Sequence, residues 1–149
     1  MSILIINGPN LNTLGKREPS IYGNLTLEEI NRNMVKYGEK ICKKNIKFDF
    51  FQSNHEGAIV DKINQAECDV IIINAAAFTH TSISIRDAIL SCKIPTIEVH
   101  ISNIYKREEF RKHSMISEVC LGQISGFGSN GYILAVQASV NIAQSKSNS

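Results

Sequence analysis

The sequence predicts an α/β domain, a three-layer α/β/α sandwich built on a five-stranded parallel sheet. Short β-branched runs recur along the chain, each is apolar over nearly its whole length, and helical patterns separate them. A strand that is apolar on both sides must be buried on both faces, and helical crossovers between parallel strands supply that cover. With 149 residues and 43% of them hydrophobic, the chain has the size and content of one core. Residues 1–143 read as a single catalytic domain. The polar stretch 144–149 has nothing to bury and is expected to fray.

The strand runs are Ile3 to Ile6, Ile46 to Phe51, Val70 to Ile73, Thr96 to His100 and, more weakly patterned, Glu118 to Ile124. Between the first two, Leu27, Ile30, Met34, Tyr37 and Ile41 recur at helical spacing, and Thr26 with Glu29 forms a capping box. Ser53 and Glu56 repeat that spacing ahead of Ile59, Ile63 and Ala66, predicting a second capped helix. Ile85, Ala88 and Ile89 mark a third helix, and Ile133, Val136, Val140 and Ala143 a fourth; a short turn is expected within Arg107 to Lys112.

Charge and cysteine content narrow the function classes. Sixteen basic and fourteen acidic side chains leave a net charge of +2 with no dense basic block, so nucleic acid is not an expected partner. The apolar run Val70 to Phe78 is broken by Asn74 and is far shorter than the ~20 residues a membrane span requires. No membrane partner is expected either. Cys42, Cys68, Cys92 and Cys120 form no C-x-x-C pair, and the start of the chain has no secretory pattern. Reduced thiols, a cytoplasmic location and no zinc site are the expectation.

In open parallel sheets, ligands bind beyond the carboxyl ends of the strands. That edge is chemically rich here. After the first strand come Asn7 to Asn12, then Arg17 and Tyr22; after the third, Asn74, Thr79, His80 and Thr81; the fourth ends in Glu98, Val99 and His100, followed by Ser102. The connections at the opposite edge, such as Lys44-Asn45 and Lys93 to Pro95, are short and ordinary. The long loop from Gly8 to Asn24, with Arg17 and Tyr22, reads as a lid over the site.

Glu98 and His100 are two apart on one strand and so face the same side, which lets the carboxylate orient or charge the imidazole. Gly126, Gly128 and Gly131 match G-x-G-x-x-G, but no later strand completes a dinucleotide-binding unit, and a tight strand-to-helix turn is the better reading. The histidines lack metal-ligand spacing, no buried lysine is placed for imine chemistry, and no G-x-S-x-G elbow exists. What remains is an acid/base site of Tyr, His, Arg and amides, suited to proton abstraction and elimination on an anionic, hydroxylated small molecule.

The blocks Ile6 to Asn12, Arg17-Glu18-Pro19 with Tyr22-Gly23, Phe51 to Gly57, Ala77 to Ser82, Ile97 to Asn103, Arg107 to Arg111 and Gly126-Phe127-Gly128 resemble the type II dehydroquinases, type II 3-dehydroquinate dehydratases, in the same order over essentially the full length. The resemblance implies a flavodoxin-like fold. It also implies dehydration of 3-dehydroquinate to 3-dehydroshikimate in the shikimate pathway, without metal or other cofactor, in trimers assembled into a homododecamer. Tyr22 would be the base that removes the C2 proton, Arg17 would stabilise its anion, and His100 would protonate the departing hydroxyl. Asn10 and Asn74 would lie near the enolate, with Glu98 supporting His100. Substrate binding would fall to Asn74, His80, Arg111 and the main chain at Ile101 and Ser102, with Asp87 supplied by a neighbouring subunit.

The sequence departs from the family pattern at Ala75-Ala76, where Pro-Gly is usual, and at Thr13, where Leu is usual. The change beside Asn74 bears on loop geometry and substrate affinity. A phenolic base ordinarily ionises near pH ~10 and needs a neighbouring cation to work near neutrality; Arg17 is the expected one. The alternative class is a non-enzymatic flavodoxin-like module that signals or binds nucleotide. A receiver, however, needs acidic residues where this chain has Asn7 and Asn74, and Pro9 removes a donor from any phosphate loop.

Overall fold

A computed structural model describes all of residues 1–149. In chain order the elements are β1 (Ser2–Asn7), α1 (Pro19–Tyr22), α2 (Leu27–Ile41), β2 (Lys47–Gln52), α3 (Glu56–Asn64), β3 (Val70–Asn74), α4 (Ile83–Cys92), β4 (Thr96–His100), β5 (Gly122–Ser125) and α5 (Asn130–Ser147), with short 3-10 turns between. The five strands form one sheet in the order β2-β1-β3-β4-β5, every neighbouring pair parallel. That is the order of a doubly wound flavodoxin-like sheet, whose strand order reverses between β1 and β3.

The alternation within β1 divides the core. Ile3 and Ile5 pack with Met34 of α2 and Tyr132 and Val136 of α5 on one face. Leu4 and Ile6 pack with Ile59 and Ile63 of α3 and Ile85 and Ile89 of α4 on the other. β3 is buried along its whole length, as a central parallel strand must be. The capping box of α2 forms as predicted: Glu29 N–H donates to Thr26 Oγ1 at 3.2 Å and Thr26 N–H donates to Glu29 Oε2 at 2.8 Å.

Other elements differ from the sequence reading. The Ser53/Glu56 capping box does not form, because α3 begins two residues later than that spacing assumes and His55 takes the cap position. Ser53 Oγ instead accepts from His55 N–H at 3.0 Å in a local turn. β5 starts at Gly122 rather than Glu118, since Ser117–Val119 form a 3-10 turn before the chain pairs with β4. α5 turns Tyr132, Ala135, Val136, Ser139 and Val140 inward, leaving Ile133 half-buried, and it continues through Ser147 with every residue from Gln144 on exposed. The expected turn near Arg107 is two short 3-10 turns, Ile104–Lys106 and Glu109–Arg111.

Gly8 joins the loops at the point of strand reversal. Its N–H donates to the Asn74 carbonyl at 2.8 Å, and a Cβ at this position would lie 2.4 Å from the Ala75 carbonyl oxygen. Only glycine permits so close an approach. The glycines after β5 make the tight turn the sequence predicts, with φ of 95° at Gly126 and 60° at Gly128.

Candidate active site

Beyond the carboxyl ends of β1, β3 and β4 lies one cleft. Asn10, Arg17 and Tyr22 line it from the segment after β1, Asn74 and His80 from the end of β3 and beyond, and His100, Ile101 and Ser102 from the end of β4. Arg107 and Arg111 line it as well. The fold thus gathers all the sequence-predicted residues except two. Glu98 lies behind His100, fully buried, and Asp87 sits exposed on α4 outside the cleft.

The loop after β1 is braced from β2. Gln52 Nε2 donates to the Gly8 carbonyl and to Asn54 Oδ1, both at 3.1 Å, and Asn54 Oδ1 also accepts from Asn10 N–H at 3.0 Å. Asn10 is left-handed, with φ 68°, a conformation asparagine tolerates better than most residues. Further along, Pro19 opens α1, whose single turn carries Tyr22.

The cation against the Tyr22 phenol is Arg107. Its Nη1 donates to Tyr22 Oη at 3.0 Å, and its guanidinium carbon lies 5.4 Å from the ring centroid. Arg17 is exposed, lines the same cleft and makes no hydrogen bond to Tyr22. The resemblance assigned that place to Arg17, whereas the cation in contact is Arg107, 85 residues from Tyr22. Glu108 steadies both downstream guanidinium groups: its Oε2 lies 3.0 Å from Arg111 Nε and 3.7 Å from Arg107 Nε. A hydrogen bond from its own backbone amide, then the charges of Arg111 and Arg107, hold the Glu108 carboxyl below its ordinary range.

Asn74 is locked at both ends of its amide. Its Oδ1 accepts from Ala76 N–H at 3.1 Å, and its Nδ2 donates to Tyr132 Oη at 2.9 Å. Tyr132 Oη in turn donates to Asn7 Oδ1 at 2.6 Å. Burial pushes the Tyr132 phenol up, which keeps it a neutral donor. Neither Tyr132 nor Asn7 was foreseen in this role; nothing in a helical repeat distinguishes a tyrosine that packs from one that also holds an amide. Beside Asn74, Ala76 adopts φ 51°, a left-handed conformation that glycine takes more readily than alanine.

The two histidines of the cleft are held by different nitrogens. His80 Nδ1–H donates to the His113 carbonyl at 2.8 Å, since a carbonyl only accepts. Burial lowers its pKa, and the charges of His100 and Arg111 add to that, against the His113 hydrogen bond and Glu98. His80 is therefore neutral with Nδ1 protonated, leaving Nε2 as an acceptor. His100, 4% exposed, places Nε2 against Glu98 Oε2 at 2.9 Å, as the two-residue spacing predicts.

Glu98 itself sits among donors. Ser114 Oγ donates to Oε1 at 2.6 Å, Ser117 Oγ lies 3.2 Å and 3.0 Å from the two carboxylate oxygens, and Gln123 Nε2 reaches Oε2. Burial by itself would raise the carboxyl, but His100, Gln123 and Ser114 outweigh it and hold Glu98 below its ordinary range. The site thus combines a phenol beside a cation, an imidazole on an ionised carboxylate, and fixed amides. These are the parts for moving two protons around a developing oxyanion.

The family model for class II dehydroquinases matches residues 1–140. A 3-dehydroquinate dehydratase of Francisella philomiragia is 56% identical over 146 residues, covering 98% of this chain and 99% of the relative. The crystal structure of a type II dehydroquinase from Butyrivibrio crossotus has a TM-score of 0.89 at 51% identity, covering 93% of this chain and 97% of that one. A type II dehydroquinase structure from Propionibacterium acnes gives 0.87 at 41% identity, covering 94% and 96%. Cleft, strand order and sequence agree along nearly the whole length, and the chain belongs to the class II dehydroquinase family.

Proposed function

We propose that this protein is a hydro-lyase that removes water from 3-dehydroquinate to give 3-dehydroshikimate. The observation that carries this reading is a phenol held by a guanidinium and an imidazole held by a buried carboxylate, both facing one cleft of the family fold. Tyr22, as phenolate, takes the proton from C2 of the substrate. The electron pair moves into the adjacent carbonyl, and the enolate oxygen is met by the polar groups of the cleft, with Asn10 and Asn74 expected near it and Arg17 stabilising the transition state. As the enolate collapses, the C1–oxygen bond breaks and His100 gives its proton to the departing hydroxyl, which leaves as water. Glu98 engages Nε2, so Nδ1 is the nitrogen that carries this proton. Two proton exchanges with solvent restore the phenolate and the imidazolium.

Asn74, His80, Arg111 and the main chain at Ile101 and Ser102 are assigned to substrate binding. His80 offers an acceptor and suits a substrate hydroxyl; Arg111 suits the carboxylate. Asp87 completes the site of a neighbouring copy, and the assembly is a homododecamer. Ile83 and Leu90, 59% and 63% exposed on the same helix as Asp87, support an interface there. The free cysteines suit a cytoplasmic setting. The test is to mix purified protein with 3-dehydroquinate and follow the ultraviolet absorbance of the conjugated enone product. New absorbance is the expected result, and its absence at high enzyme concentration overturns the assignment. Sedimentation should give a multiple of 16.5 kDa, with twelve chains expected; a fully active monomer would exclude the shared site.

A further inference from the structure

We propose that Ser114, Ser117 and Gln123 are positioning residues for His100: each turns a proton toward Glu98, and together they keep it as the acceptor for His100 Nε2. The proposal rests on His100 as the acid of the reaction above and adds what sets its geometry.

The direction of each hydrogen bond follows from its neighbours. A serine hydroxyl owns one proton and two lone pairs. Ser114 Oγ accepts from the backbone N–H groups of Ile116 at 3.2 Å and Ser117 at 3.1 Å, which leaves its proton for Glu98 Oε1. Ser117 Oγ accepts from Gln123 Nε2 at 2.9 Å, which again leaves its proton for the carboxylate. Gln123 is the β5 residue in register with Glu98 on β4. Its Oε1 accepts from Tyr105 Oη at 3.3 Å, and reversing the amide would set oxygen against a carboxylate oxygen.

Ser114, Ser117 and Gln123 therefore all approach Glu98 as donors. Three donors on its two oxygens are satisfied by the carboxylate and favour it over the acid. His100 must then present an N–H at Nε2, which fixes the ring and commits Nδ1 to the cleft. On β3, the register neighbour of Glu98 is Ile73, which carries no charge. The remaining titratable groups nearby are Cys120, pushed up to about 12 mainly by burial and further by Glu98, and His80 with Arg111. None of these supplies a hydrogen bond to the carboxylate.

The test compares the unmodified protein with Gln123→Met, which keeps bulk and removes the donor, and with the double variant Ser114→Ala/Ser117→Ala. Two readouts are taken: kcat and KM for 3-dehydroquinate across pH, and the ring resonances of His100 in the resting protein, whose acid-side step reports protonation of Glu98. With donors removed, burial is less opposed, so that step should move up by at least about half a pH unit. At the same time kcat should fall about tenfold while KM stays within about twofold. Ser117→Thr keeps the hydroxyl and should retain the original step and kcat. Variants that melt earlier but keep both the step and the kcat of the unmodified protein would overturn the proposal, because bracing alone predicts that pattern. If the unmodified protein fails to turn over 3-dehydroquinate, the functional reading falls, and the step in the resting protein still decides the cradle.

Discussion

Arg107 and Tyr22, 85 residues apart in the chain, share a hydrogen bond of 3.0 Å with the guanidinium carbon 5.4 Å from the phenol ring. The contact ties the segment after β4 to the segment after β1 across the open end of the sheet. The guanidinium fixes the position of the phenol oxygen over the cleft, where a base must stand.

Replacing Arg107 by Ala should therefore lower kcat by about tenfold to a hundredfold, matching a charge-assisted hydrogen bond of about 1.5–3 kcal/mol. Arg17→Ala, which removes a cation that makes no hydrogen bond to Tyr22, should lower kcat less than Arg107→Ala does. Steady-state rates for both variants check this, and a larger loss of kcat in Arg17→Ala would return the role to Arg17.

Tyr22→Phe keeps the ring under Arg107 but removes the base. Turnover should drop by roughly 10² to 10⁴ while substrate still binds, and His100→Gln should spare binding in the same way. Calorimetric titration alongside the absorbance assay separates the two quantities. Near-normal turnover in Tyr22→Phe would place the base elsewhere.

The Glu98 carboxyl ionises below its unfolded value of about 4.3, so the unfolded chain takes up that proton first. The stabilisation is complete above about pH 4.3 and is lost as pH falls through the folded value. Glu98→Gln, which turns amide protons on the donors around it, should cost about 2 kcal/mol near neutrality, or about 4–8 °C in Tm for a chain of this size. The gap between variant and parent should narrow in melts run below about pH 4. A gap independent of pH would mean that the carboxylate contributes by shape alone.

Ala76 holds φ 51° beside Asn74. A left-handed non-glycine residue costs about 1–2 kcal/mol, and the greater freedom of an unfolded glycine returns about 0.5–1. Ala76→Gly should stabilise the fold by roughly 0.5–1 kcal/mol, read from denaturant midpoints. A destabilised variant would show that the Ala76 methyl packs more strongly than its backbone is strained.

The sequence by itself determined the layers, the capped α2 helix and the edge of the sheet that carries chemistry. Those depend on local periodicity, hydrogen bonds three residues apart and the burial of parallel strands on both faces. It also determined the Glu98–His100 pair, since residues two apart on a strand face one way. Tertiary structure alone decided which cation meets Tyr22, how Tyr132 holds Asn74, and that Ser114, Ser117 and Gln123 enclose Glu98. Side-chain polar contacts of that kind join segments brought together by sheet register and loop paths, and no period along the chain encodes them. The failed Ser53/Glu56 capping box has the same origin: where a helix starts after β2 is settled by the turn that Ser53 makes with His55, not by spacing alone.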